Sequence, residues 1–159
     1  MITQELLQSL FTYSDGCLYW KVNKGPAKKG DKVGHLNNTG YLRCKINGKG
    51  YLIHRVIYLL HHGVLPEILD HINGNVLDNS IENLREATNQ QNQFNAKLRS
   101  DNTSGAKGVS WNKSSKKWWV RVRIGKTRTH IGYFDDLELA ELVAIEARNK
   151  YYKEFAKHE

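Results

Sequence analysis

The sequence predicts an α+β protein built of two modules, and three observations carry that reading. Short apolar runs over residues 6–53 are broken by glycine-containing turns, a polar break falls at 96–104, and beyond it three strand-like runs lead into one helix. A chain of 159 residues can hold two small domains. Residues 1–95 are expected to form the first, 96–104 a linker, and 105–159 a small three-stranded antiparallel sheet packed on one helix.

In the first module residues 17–22, 41–46 and 51–53 read as strands. Asp15-Gly16, Asn47-Gly48 and Lys49-Gly50 supply turns, and Asn-Gly is a strong hairpin signal. Residues 24–32, with Gly25, Pro26 and Gly30, form a basic loop. Residues 54–62 read as a short helix whose apolar contacts come from Val56, Ile57, Leu59 and Leu60. Asp70-His71 is expected to end a strand, with Gly74 turning the chain between Asn73 and Asn75. Thr88-x-x-Gln91 is a capping box, so a helix is expected to carry Asn92 in its first turns. In the second module residues 107–111, 117–124 and 127–132 read as strands, with Gly125-Lys126 as a turn and a helix from Asp136. Alternation puts Trp118, Val120, Val122 and Ile124 on one face of the middle strand and Trp119, Arg121 and Arg123 on the other. The helix, with Ala140, Val143, Ala144, Ala147 and Tyr151 at helical spacing, would cover the apolar face. Trp118, Tyr133 and Phe134 are expected in that core, whereas Trp111 could pack or make contacts.

Charge narrows the function classes. The formal net charge is +8, distributed as +5 over residues 1–53, −3 over 54–95 and +6 over 96–159. Basic flanks suit a polyanion, because neutralised phosphates release counterions, while an acidic centre suits a divalent cation. No apolar run approaches the roughly 20 residues of a membrane span. The N-terminus lacks the basic flank and apolar block of a signal peptide. Cys17 and Cys44 form no paired motif, which excludes a cysteine-built zinc site. A soluble, intracellular (cytoplasmic) protein with free thiols is the expectation.

The candidate chemistry lies in the acidic middle, in Asp70-His71-Ile72-Asn73-Gly74-Asn75, then Asn79-Ser80-Ile81-Glu82-Asn83-Leu84-Arg85, then Thr88 to Asn92. Metal-assisted phosphodiester hydrolysis needs a carboxylate for a hard cation, a second oxygen ligand, and a base that titrates near neutrality. Asp70, Asn92 and His71 meet those needs. Neighbours on a regular strand point to opposite faces, so Asp70 and His71 share a site only where the strand twists or ends. Arg85 could pair with a structural carboxylate or touch a phosphate. His54 reads as a packed histidine, and His61-His62 as a favourable contact with a helix end.

The pattern Asp-His-x-x-Gly-Asn, Asn-x-x-x-Asn-Leu-Arg, Thr and a closing Asn resembles the HNH family with the ββα-metal fold. Within it, the homing endonucleases of phages and mobile introns are the nearest in pattern. His54-Arg55-Val56 is similar to the His-Arg that opens the preceding helix in that group, and the likeness covers about residues 41–95. The resemblance implies that His71 is the general base, that Asp70 and Asn92 bind one Mg²⁺ or Mn²⁺, and that Asn83 hydrogen-bonds across the loop to hold His71. It implies 5′-phosphate and 3′-hydroxyl products. Many HNH proteins add a four-cysteine zinc site; this chain lacks it, so packing and hydrogen bonds must hold its loop.

Residues 104–155 resemble the three-strand-plus-helix DNA-binding domain of plant ethylene-responsive transcription factors (the APETALA-like type). The shared pieces are Gly108-Val109, the tryptophan/arginine strand, the run from His130 through Phe134, and a helix with Glu138, Ala140 and Ala147. The resemblance implies base or backbone contacts from Trp111, Trp119, Arg121, Arg123, Arg128 and His130. Ser110 stands where the plant domains often have arginine. The expected function is thus a metal-dependent DNA endonuclease of a mobile element, with double-stranded DNA as partner and no obligatory protein partner. The alternative is a non-catalytic, sequence-specific DNA-binding regulator.

Overall fold

The computed structural model describes residues 2–88, 91–92, 98, 100–124 and 127–152, the side chain of the last excepted. It is a mixed α/β fold of small antiparallel sheets, and the chain divides into two compact units, Met1–Ala87 and Thr88–Glu159.

The first unit opens with α1 (Gln4–Leu10), capped by the Thr3 hydroxyl, which accepts from Leu6 N. Helix α1 runs directly into the hairpin of β1 (Phe11–Ser14) and β2 (Cys17–Trp20). Neither α1 nor β1 was expected from the sequence. At seven residues, α1 is too short to display a helical period. A second sheet joins β3 (His35–Leu36), β4 (Leu42–Ile46) and β5 (Lys49–Leu52), and α2 (Ile53–His62) follows without a break. The turns at Asp15-Gly16 and Asn47-Gly48 both take positive φ at both positions. This is the type I′ geometry whose twist matches a two-residue hairpin, as the Asn-Gly and Asp-Gly pairs predict. Phe11, Leu18, Ile46, Ile53, Val56 and Ile57 form the core of this unit, and Leu7 joins them from α1. The last pair of strands, β6 (Leu69–His71) and β7 (Leu84–Glu86), is separated by a loop that ends in a single 3₁₀ turn, Ile81–Asn83.

In the second unit β8 (Val109–Asn112), β9 (Lys117–Ile124) and β10 (Thr127–Phe134) form an antiparallel sheet with β9 in the centre. The expected Gly125-Lys126 turn lies outside the described residues. So do residues 96, 97 and 99 of the expected linker, while Asn102 and Ser104 hydrogen-bond to Ala106 O and so fold onto the approach to β8. Helix α3 (Leu137–Tyr152) buries Ala140 and Ala144 against Val109 and Val120. Small residues at those helix positions let its backbone come close to the sheet. Gly108 enters β8 with φ +79°, and a Cβ there would stand 2.7 Å from Arg121 O, so a side chain would prise β8 from β9. Among the described residues no helix is long and apolar enough to cross a membrane. Both cysteines are free.

Candidate functional site

Antiparallel pairing of β6 with β7 sets Asp70 opposite Arg85 and His71 opposite Leu84. Strand alternation therefore sends the two side chains to different faces, and both are buried, at 5% exposure. On one face Asp70 Oδ2 accepts from Arg85 Nε at 3.1 Å, with Arg85 Nη2 in ion-pair contact at the same distance. Of the two options that the sequence leaves for Arg85, the contact here is the carboxylate. On the other face His71 is the last residue of the strand. The chain then turns, with Gly74 N donating to His71 O.

The surroundings of His71 come from three segments. Its Nε2 lies 3.1 Å from Oδ1 of the buried Asn79. The His54 ring from α2 meets it edge-on, centroids 4.9 Å apart, and Tyr41 stands 6.2 Å from it and 5.5 Å from His54. Burial, reinforced by His71 and then Arg55, pushes the pKa of His54 down from 6.5 to about 3. His54 is thus neutral, as expected of a packed histidine. Its neighbour Arg55 turns outward and donates to Pro66 O and Glu67 O, tethering the chain on its way into β6. His61 packs edge-on to Tyr13 and His62 against Tyr58 at the end of α2.

The loop between the strands is closed by Asn83. Its Nδ2 donates to Asn73 Oδ1 at 3.0 Å and to Asp78 O at 2.8 Å, and its Oδ1 accepts from Asn73 N at 2.9 Å. Asp78 completes the mesh by accepting from Ser80 Oγ and N and from Asn73 Nδ2. The Ser80 bonds, more than the Asn73 bond, hold its carboxyl below the usual range. Hydrogen bonds thus mesh this loop from end to end.

Asn92 belongs to the second unit, where it is helical and exposed. The capping box before it is formed: Thr88 N donates to Gln91 Oε1, and Gln91 N donates to Thr88 Oγ1. Among the described residues no three histidines, cysteines or acids cluster to hold a metal. The Asp70 carboxylate is nonetheless a donor that suits a hard cation completed by water and phosphate oxygens, as Mg²⁺ prefers. Asp70 offers two oxygens with several lone-pair directions, and metal-binding carboxylates are commonly oriented by an outer hydrogen bond such as that from Arg85.

In the second unit the β9–β10 register pairs Arg123 with Arg128, Arg121 with His130 and Trp119 with Tyr133. Directly paired residues share a face, so these six form the open side of the sheet, away from Val120 and Val122, which are buried. Arg121 lies over the Trp119 ring, 3.8 Å from its centroid, and reaches Ser110 Oγ at 3.3 Å. Trp119 and Tyr133 are stacked with an interplanar angle of 24°. One placement left open is decided and one expected placement changes. Trp111 pairs with Trp118, so it sits on the apolar side, edge-on to Trp118 at 5.0 Å, and does not join the arginines. Tyr133, expected in the core, stands on the open face at 43% exposure. The cause is a β-bulge between His130 and Gly132, which inserts one residue and reverses the alternation beyond it. Trp118 and Phe134 do pack on the core of this unit. The sequence reading missed Asn79, Tyr41, Ser110 and Tyr133. Only Asn79 left a signal, as the first asparagine of the spaced motif.

The model of a family described as HNH endonuclease matches residues 51–94, which include β6, the loop, β7 and Asn92. Protein 3.8 of Escherichia phage T7 is 34% identical over 109 residues, covering 65% of this chain and 87% of that protein. An uncharacterized HNH endonuclease, L560, of Acanthamoeba polyphaga mimivirus is 43% identical over 81 residues, covering 49% of this chain and 42% of the relative. The solved structure of the HNH homing endonuclease I-HmuI superposes with a TM-score of 0.41 at 21% identity, covering 77% of this chain and 71% of that one. The chain belongs to the HNH endonuclease family.

Proposed function

We propose that this protein is a metal-dependent DNA endonuclease of a mobile element, in which the first unit cuts and the second grips the duplex. The observation that supports it most is the buried Asp70–His71 pair at the end of β6, with its loop meshed by Asn83. In this reading His71 takes the proton from the attacking water, and Asp70 supplies the first unit's carboxylate to one Mg²⁺ or Mn²⁺. The cation, when bound, supplies charge stabilisation at the scissile phosphate and the leaving 3′ oxygen. Arg85 orients Asp70, and Asn83 keeps the loop from drifting away from His71.

The open face of the β8–β10 sheet supports the gripping role. Arg123 directly opposite Arg128 sets two guanidinium groups side by side on the open face, a pairing that suits a phosphate backbone. Trp119, Arg121 and His130 stand beside them for base or backbone contact. The test is incubation of purified protein with supercoiled and linear DNA, with and without Mg²⁺ or Mn²⁺. Metal-dependent cutting by the wild type is expected, with a rate about 10²–10⁴-fold lower in His71→Ala and duplex binding kept. Binding without any cutting would instead favour a DNA-binding regulator.

A further inference from the structure

Asn79 is 2% exposed, a polar side chain wholly inside the first unit, and the catalytic reading gives it no task. A buried amide must satisfy an acceptor at one end and donors at the other. Its Nδ2 donates to Leu77 O at 3.4 Å, which fixes the orientation of the amide, because a flipped group would set two carbonyl oxygens against each other. Oδ1 therefore faces His71 Nε2 at 3.1 Å. A carbonyl oxygen can only accept, so Nε2 must carry hydrogen. Neutral imidazole has a single N–H, and with that hydrogen on Nε2 the lone pair resides on Nδ1.

We infer that Asn79 is the positioning residue for His71, selecting the Nε2–H tautomer so that Nδ1 is the nitrogen that takes the proton. The inference rests on His71 being the base, but its geometry stands apart from that assignment. Asn79 is in turn held from outside by the β1–β2 hairpin. Gly16, with φ +73°, packs so closely that a Cβ would stand 2.9 Å from Ser80 N and 3.2 Å from the carbonyl carbon of Asn79. One residue further on, the Tyr13 hydroxyl accepts from Ile81 N at 3.0 Å. The hairpin, far from the motif in sequence, thereby sets the position of the amide that sets the ring.

Two measurements on the full-length protein test this. The first is the ¹⁵N–¹H correlation spectrum of the histidine rings at a pH where His71 is neutral, assigned by loss of its signals in His71→Ala. The expected result is the Nε2–H pattern for His71; an Nδ1–H pattern overturns the inference, whatever the nuclease assay shows. The second compares Asn79→Leu, nearly isosteric but without the acceptor, with Asn79→Asp, which restores it. With supercoiled plasmid and Mg²⁺, Asn79→Leu should lower kcat about 10–100-fold at unchanged KM, and its His71 spectrum should show mixed tautomers. Asn79→Asp should recover the Nε2–H pattern and most of the rate. Wild-type kcat and an unchanged ring spectrum in Asn79→Leu overturn it, and if that variant does not fold, the wild-type spectrum alone decides. Failure of the base assignment is separate: it shows as wild-type cutting by His71→Ala.

Discussion

Both Nε and Nη2 of Arg85 lie 3.1 Å from a single oxygen of Asp70, across the β6–β7 ladder. Two donors converging on one oxygen orient the carboxylate, and with Asp70 at 5% and Arg85 at 17% side-chain exposure the pair is mostly shielded from water. Replacing one member of a shielded pair strands the other charge. Arg85→Met should therefore destabilise the protein by about 3 kcal/mol, measured by urea unfolding, while Arg85→Lys loses less. Equal stability of Arg85→Met and wild type would mean the pair contributes nothing.

His54 makes stability depend on pH with a definite sign. Its pKa is held at about 3 in the folded chain, against 6.5 ordinarily, so the unfolded chain takes up the proton first. Its contribution is complete above pH 6.5 and is lost as pH falls from there toward about 3, at up to about 1.4 kcal/mol per pH unit. Unfolding free energy measured across that window should fall more steeply for wild type than for His54→Gln. Parallel curves would show that the buried ring is not what titrates.

Asn83 makes three side-chain hydrogen bonds across the loop while 9% exposed. Asn83→Ala leaves several of these partners short and should cost about 2–4 kcal/mol. Hydrogen exchange at the amide of Asn73, which donates to the lost oxygen, should speed up more than that of Ile57 in α2. Uniform acceleration throughout the unit would point to global weakening only.

The two sides of the small sheet should separate under mutation. Trp119→Ala and Arg128→Ala should weaken duplex binding, the latter with a salt slope shallower by about one contact. Trp111→Ala, on the Trp118 side, should lower the melting temperature and leave affinity nearly unchanged. Fluorescence anisotropy at two salt concentrations, beside thermal unfolding, reads both. Loss of affinity from Trp111→Ala equal to that from Trp119→Ala would contradict the division of faces.

How much of this was legible beforehand follows from how local each feature is. Helix α2 and strand β9 show full periods of buried residues, and Asp15-Gly16 and Asn47-Gly48 carry their turn geometry in two residues. Helix α1 and strand β3, seven and two residues long, are specified by what they pack or pair against. Trp111 stayed undecided until the register set it against Trp118. The motif names Asp70, His71 and Asn83 because their spacing is local, yet nothing in it says that Asp70 faces Arg85 or that His71 faces Asn79. Those are relations between faces, and faces exist only once strands pair.

The extra residue in β10 makes the composition of the open face a matter of counting. Upstream of it, even-numbered positions such as Arg128 and His130 look outward; downstream, the odd-numbered Tyr133 does. Deleting Ile131 alone would restore strict alternation and leave the tyrosine ring opposite Trp119; only a bulge-free ladder with every residue kept would turn that ring beneath the sheet and bring Phe134 out. The same residues, shifted by one step of the ladder, would then present a greasy surface instead of a hydroxyl-bearing one. The bulge, as much as side-chain identity, thus sets which surface this sheet presents.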